Sequence, residues 1–138
     1  MTAEEFQRRL TAFALREGMT FATLIGLPPL ARTIAVATMI AGLDAGASYA
    51  ERDVNIRLQR WLDGVGANVE TDRANLRRWL VDTGVMSRNA DCSDYRLAAF
   101  ADGRMLALAR SIDCEGLTSK ARLARSSERA QRKAAWVG

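Results

Sequence analysis

The side chains whose chemistry stands out in this sequence are arginines. Within residues 72–83, Arg73, Arg77 and Arg78 accompany Asn75, and Arg88 and Arg96 follow downstream. A guanidinium fork pairs with phosphate oxygens or with the O6/N7 edge of guanine, and an asparagine amide matches the N6/N7 edge of adenine. This set has the chemistry of a nucleic-acid reader. A second set, Lys120, Arg122 and Arg125, opens a basic C-terminal stretch. Such cations release counterions when they meet a polyanion, which supplies most sequence-independent affinity.

Enzyme chemistry has far less to work with. The chain contains no histidine, which removes the commonest general base near neutral pH and the commonest zinc ligand. Cys92 and Cys114 stand 22 residues apart with no CxxC spacing, and two such thiols do not complete a zinc site. They are expected as reduced thiols. Neither a GxGxxG nor a GKS/GKT phosphate loop occurs, and no DxD, ExxE or HExxH cluster stands out. No catalytic residue, metal ligand or cofactor is therefore expected.

The charge is unevenly spread. Residues 1–119 carry 14 basic and 15 acidic side chains, a net −1, whereas residues 120–138 carry six and one, a net +5. The whole excess sits in the tail. At 138 residues, with 49% hydrophobic and 26% charged residues, the chain has the size and composition of one globular domain. The expected organisation is a single domain over 1–119 and a basic C-terminal arm over 120–138. Small apolar residues interleave the basic ones there, so an arm folded against the body and an arm tracking phosphates both fit. The central charge-free run, 33–43, is 11 residues long, about half of the roughly 20 that a membrane span needs. Glu4, Glu5, Arg8 and Arg9 leave no signal-peptide pattern at the start. A cytoplasmic protein with no membrane partner is expected.

The elements that must position these arginines follow from periodicity. Phe6, Leu10, Phe13 and Ala14 share one face of a helix over residues 3–16. Residues 19–27 read as a connector to Pro28 and Pro29, and the nearly all-apolar stretch 30–43 reads as a core helix. Ser48 and Glu51 form an S-x-x-E capping box for a helix through about Leu62, with Val54, Leu58, Trp61 and Leu62 on its inner face. Ile56 points about 200° from Val54 and is expected to be covered by another segment. Asp72 caps the next helix, which ends at Gly84 and buries Leu76, Trp79 and Leu80. Residues 85–89 and 94–98 then flank a turn and predict a β-hairpin. A further helix is expected over 104–112, with Gly116 separating it from the tail.

Helix, helix, hairpin is the order of a winged helix-turn-helix. The predicted fold class is mainly α with a small β-hairpin, a winged helix-turn-helix with N- and C-terminal helical extensions. The residues also resemble a family. Tyr49-Ala50-Glu51-Arg52-Asp53-Val54-Asn55, then Asp72 to Arg88 with its Leu76-Arg77-Arg78-Trp79-Leu80-Val81-Asp82-Thr83-Gly84 block, then Tyr95-Arg96, are similar to the bacterial domain of unknown function 2087. Its signature runs Y-T-E-x-E-V-N, D-x-x-x-L-R-R-x-L-V-D-x-G-[LYF]-[LM]-x-R and Y-[WR]. The likeness spans about residues 28–96. Ala50 stands where the family has a hydroxyl residue and Asp53 where it has Glu, which moves the expected cap to Ser48. The resemblance implies a small winged-helix domain of the kind seen in regulator-like bacterial proteins and supplies no activity.

Two functions follow as expectations. The first is a transcriptional regulator that binds double-stranded DNA, with the 72–83 helix in the major groove and the hairpin as a wing. Arg77 and Arg78 would then reach guanine or phosphate, Asn75 adenine, and Arg73, Arg88 and Arg96 the backbone. An Arg78–Asp82 ion pair and the neutral body weigh against it. The second is a non-catalytic interaction or dimerisation module that makes contact through Ile56, Trp79 or Trp136. A homodimer is the default assembly.

Overall fold

Periodicity in the first segment delivers the helix it predicts. α1 (Ala3–Ala14) starts at Thr2, whose side chain accepts from the Glu5 amide, and it buries Phe6, Leu10, Phe13 and Ala14. The computed structural model describes residues 1–98 and 100–137, the last of these by its backbone alone. Ala99, where the expected extension begins, and Gly138, where the arm ends, lie outside the described residues. After α1 come β1 (Met19–Thr20), α2 (Phe21–Ile25) and α3 (Pro29–Ile40). Next are β2 (Ser48–Tyr49), α4 (Glu51–Asp63), β3 (Val69–Glu70) and α5 (Arg73–Asp82). The hairpin β4 (Met86–Arg88) and β5 (Tyr95–Leu97), α6 (Gly103–Ser111) and α7 (Cys114–Val137) complete the order. None of these helices is long and apolar enough to cross a membrane.

α3 is the centre of the core. Pro29 opens it, where a missing amide costs nothing, and Ile34, Ala35, Val36, Ala37, Met39 and Ile40 are all buried. α1, α4 and α6 pack around it. Trp61 of α4 fills the space between α1 and α3, with its ring 6.2 Å from that of Phe13 and its Nε1 donating to Thr38 Oγ1 at 2.9 Å. Gly66 leaves the room this ring needs, since a Cβ there would come within 2.2 Å of it.

The hairpin forms as predicted and gains a third strand. β4 pairs with β5 through Met86↔Leu97, Ser87↔Arg96 and Arg88↔Tyr95, while β2 adds to the other edge of β5 through Ser48↔Arg96 and Tyr49↔Tyr95. The result is a mainly helical fold with a small antiparallel sheet ordered β2-β5-β4. Period-2 alternation turns Tyr95 and Leu97 inward and leaves Arg96 outside. Separately, β1 pairs in parallel with β3, Met19 against Val69.

Several expectations need correction. Ser48 does not cap α4: it is paired in β2, and its hydroxyl donates to Asp94 Oδ1. The cap position falls on Ala50, which has extended backbone and no side-chain acceptor. The sequence pattern S-x-x-E was real, but pairing with β5 claimed the serine first. Ile56 is not covered, being 59% exposed. Trp79 is only half-buried, edge-on to Phe21 at 6.2 Å. Residues 19–27 form β1 and α2 rather than a plain connector. Gly116 does not interrupt the C-terminal helix. It lies in the first turn of α7, where its amide donates to Asp113 Oδ1 at 3.0 Å and a Cβ would collide with that carboxylate.

Ala50 therefore marks an unfilled cap. Ala50→Ser supplies an oxygen for an orphan amide of the first turn and is expected to stabilise the fold by about 1 kcal/mol. In a thermal melt this is a rise of roughly 3–5 °C for a domain of this size. An unchanged melting temperature would mean that solvent already serves those amides as well.

Candidate functional site

The interface of α4 with α5 decides where the central arginines point. Leu76 and Leu80 are fully buried, which turns α5 so that its successive arginines diverge. Arg77 lies against α4. One Nη donates to Glu51 Oε1 at 2.8 Å, the other donates to Asn55 Oδ1, and only 17% of the side chain is exposed. Glu51 and Asn55 stand one turn apart on α4, so a single guanidinium spans both. Arg78 is exposed and makes no salt bridge among the described residues; in particular, no ion pair joins it to Asp82.

The other predicted residues divide the same way. Arg73 is exposed at the start of α5. Asn75 is half-buried, and its side-chain amide donates to Thr71 Oγ1 at 3.3 Å. On the hairpin, Arg88 Nη1 lies 3.0 Å from Cys92 Sγ and 3.4 Å from the Asn89 carbonyl, both uncharged acceptors. Arg96 pairs with Asp94 at 3.0 Å but keeps 54% of its side chain exposed. Arg77, Arg78 and Arg88 line one cleft of about 220 Å³ between α5 and the hairpin, together with Glu51, Asp82 and Tyr95. Tyr95 is buried, and desolvation, followed by the charge of Glu51, pushes its phenol above the ordinary value.

The basic tail has a different employment. α7 packs along α1, and its arginines meet the carbonyl end of that helix. Arg122 donates to the carbonyls of Ala14 at 3.2 Å, Gly64 at 2.7 Å and Val65 at 2.7 Å, and to Asn68 Oδ1 at 3.0 Å. Arg125 donates to the Leu15 carbonyl at 2.7 Å. Asn68 in turn donates to the carbonyls of Phe13 and Arg16, each at 2.9 Å. Arg129 pairs with Glu17 at 2.7 Å, and this hydrogen bond, reinforced by the charge, holds the Glu17 carboxyl below its usual range. A helix leaves its last carbonyls unpaired and its C-terminus negative, and cations answer both deficits. Burial pushes Arg122 below the ordinary guanidinium value. Lys120 is exposed, on the outer side of the same helix.

A family model described as an uncharacterized protein conserved in bacteria (DUF2087) matches residues 30–97. Over these residues the chain is similar to a bacterial domain of unknown function. No curated protein and no solved structure matches the chain. The DUF2087 span runs from α3 to the end of β5 and so contains α4, α5 and the three-stranded sheet, while α1, α2, α6 and α7 lie outside it.

The geometry gives the sequence signature of that span a physical meaning. Glu51 and Asn55 in its first block and Arg77 in its second are the three members of the α4–α5 tie. The helical period puts Arg78 on the far side of the helix and Arg77 along one margin, yet sequence reasoning gives both the same role, reaching guanine or phosphate. The signal that separates them was present, because Glu51 and Asn55 repeat at i,i+4 on the half-buried margin of α4. The role of Arg122 left no comparable signal, since its acceptors are backbone carbonyls.

Arg122→Ala removes the one side chain that serves α1, Gly64 and Val65 together. It is expected to cost about 2–3 kcal/mol in urea unfolding. Arg122→Lys is expected to recover little of this, because one ammonium cannot reproduce a planar fork. Full stability in the lysine variant would show that charge alone, rather than fork geometry, closes the helix end.

Proposed function

We propose that the chain is a winged-helix protein that binds double-stranded DNA, in the manner of a transcriptional regulator, with α5 entering the major groove and the β4–β5 hairpin beside it. The observation that carries this reading is the strand order β2-β5-β4, with β2 before α4 and the hairpin after α5. A winged helix-turn-helix would need such an order, with a two-stranded flap beside the helix that enters the groove, and this agreement supports the reading. Arg73 and Arg78 on α5 and Arg88 and Arg96 on the hairpin keep exposed guanidinium groups. Arg77, Arg122 and Arg125 serve the fold instead, so the contact set is smaller than the sequence offers, and phosphate contacts dominate it.

A second reading, a non-catalytic interaction or dimerisation module, draws on Ile56, 59% exposed on α4, and Trp136, 90% exposed near the end of α7. It needs no phosphate contact, and that difference separates the two.

Binding of the full chain to random-sequence duplex DNA over a salt series tests the first reading. Four arginine contacts predict a log–log slope of about −3 to −4. A flat response, or no complex, would remove it. Light scattering that then reports a dimer, dissociated by Ile56→Glu, would favour the second.

A further inference from the structure

We infer that the cleft between α5 and the β4–β5 hairpin is a seat for a single phosphate group, held by Arg78 from the helix and Arg88 from the hairpin. The inference deepens the DNA reading, on which the backbone as source of the phosphate rests. Three features of the cleft carry it.

The first is uncompensated charge. Arg77, Arg78 and Arg88 line the cleft against Glu51 and Asp82. Arg77 and Glu51 cancel at 2.8 Å and form a neutral wall. Arg88 is fixed in place by the Cys92 thiol and the Asn89 carbonyl, neither of which neutralises it. Arg78 has no carboxylate within salt-bridge distance among the described residues. Two cations thus face one small opening with only Asp82 to offset them, so the lining as a whole is net positive. An anion that bridges them converts their repulsion into attraction.

The second is preorganisation. Arg88 is anchored in a hairpin whose turn is stitched by Asn89 to Ser93 at 2.8 Å and by Asp91 to Ser93 at 2.6 Å. Arg78 rides on a helix fixed by the Arg77 tie. Contacts that hold the Arg88 guanidinium before the ligand arrives lower the ordering cost of binding, while for Arg78 the fixed helix sets only where the side chain starts. Tetrahedral oxyanions suit such forks, which donate paired N–H groups.

The third is what the cleft lacks. Tyr95, its only aromatic lining residue, is 2% exposed, so no ring face is offered on which a base or other planar body could stack. At about 220 Å³, the cleft is also below the usual range for organic ligands, roughly 300–1,000 Å³. Recognition is therefore of the phosphate itself, either as a link in a nucleic-acid backbone or as free phosphate.

The test uses the full chain with Arg78→Ala and Arg88→Ala, and with Arg52→Ala, an exposed arginine outside the cleft, as control. Each protein is melted with inorganic phosphate against chloride at equal ionic strength, and each is titrated with duplex DNA over a salt series. If the seat exists, the two cleft variants reduce the magnitude of the DNA salt slope by about one unit each, uniformly across sequences, and the control leaves it unchanged. Phosphate-specific stabilisation that both cleft variants abolish, in a protein that binds no DNA, would support the seat with free phosphate as its ligand while ending the DNA reading. DNA binding with a slope that neither cleft variant alters, and no phosphate-specific stabilisation, would overturn the seat and leave the DNA reading on the remaining arginines. Absence of both responses would overturn both.

Discussion

A single guanidinium, that of Arg77, sets the geometry on which the exposed face depends. Packing of Leu76 and Leu80 alone fixes which stripe of α5 is buried, but an apolar stripe tolerates rotation by a fraction of a turn. The bond from Arg77 to Glu51 at 2.8 Å and its bond to Asn55 remove that freedom. A half-buried pair of this kind contributes little net free energy once desolvation is counted, and its value lies in selecting one arrangement over near alternatives. With Arg77 locked to α4, Arg78 must project toward the hairpin, and the cleft between them acquires its shape.

The C-terminal helix obeys the same logic at the end of α1. α1 ends at Ala14, close to the loop around Gly64 and Val65, and that region concentrates backbone carbonyls, of which that of Gly64 also accepts from the Ala67 amide at 3.1 Å. Arg122 supplies donors to three of them and to Asn68. The tail thus closes the structure that residues 30–97 would leave open at α3, because α1 and α6 cover that helix and α7 secures α1. The elements outside the family span are supports for it as much as additions to it.

The parts of the fold governed by local rules were legible in the sequence. The amphipathic face of α1, the Asp72 cap, the Gly84 stop with its φ of +80°, and the hairpin all follow from periodicity, capping and turn chemistry. What escaped was set by partners distant in sequence. The local pattern around Ser48 predicts a cap, but β5, almost fifty residues on, recruits the serine into a strand. β1 and β3 are two residues each and carry no periodic signal. The candidate site was half legible: the arginine-rich helix and hairpin were visible, whereas the assignment of Arg77 to the interior required the placement of α4.

Net charge deserves the same caution as local pattern. A tail of net +5 reads as an electrostatic footprint, yet Arg122, Arg125 and Arg129 face the carbonyl end of α1 and the Glu17 carboxylate. Formal charge counts a guanidinium equally whether it meets water, a carbonyl or a carboxylate. The field that an approaching polyanion experiences depends instead on which cations remain without an acceptor of opposite sign. By that measure Lys120, Arg122, Arg125 and Lys133 of the tail are also without a carboxylate partner among the described residues, but Arg122 and Arg125 already spend donors on carbonyls, whereas Arg78 and Arg88 line one cleft together. A near-neutral body is therefore compatible with a local anion site, because a few unpaired arginines held close together act at contact range, where screening by salt is weakest.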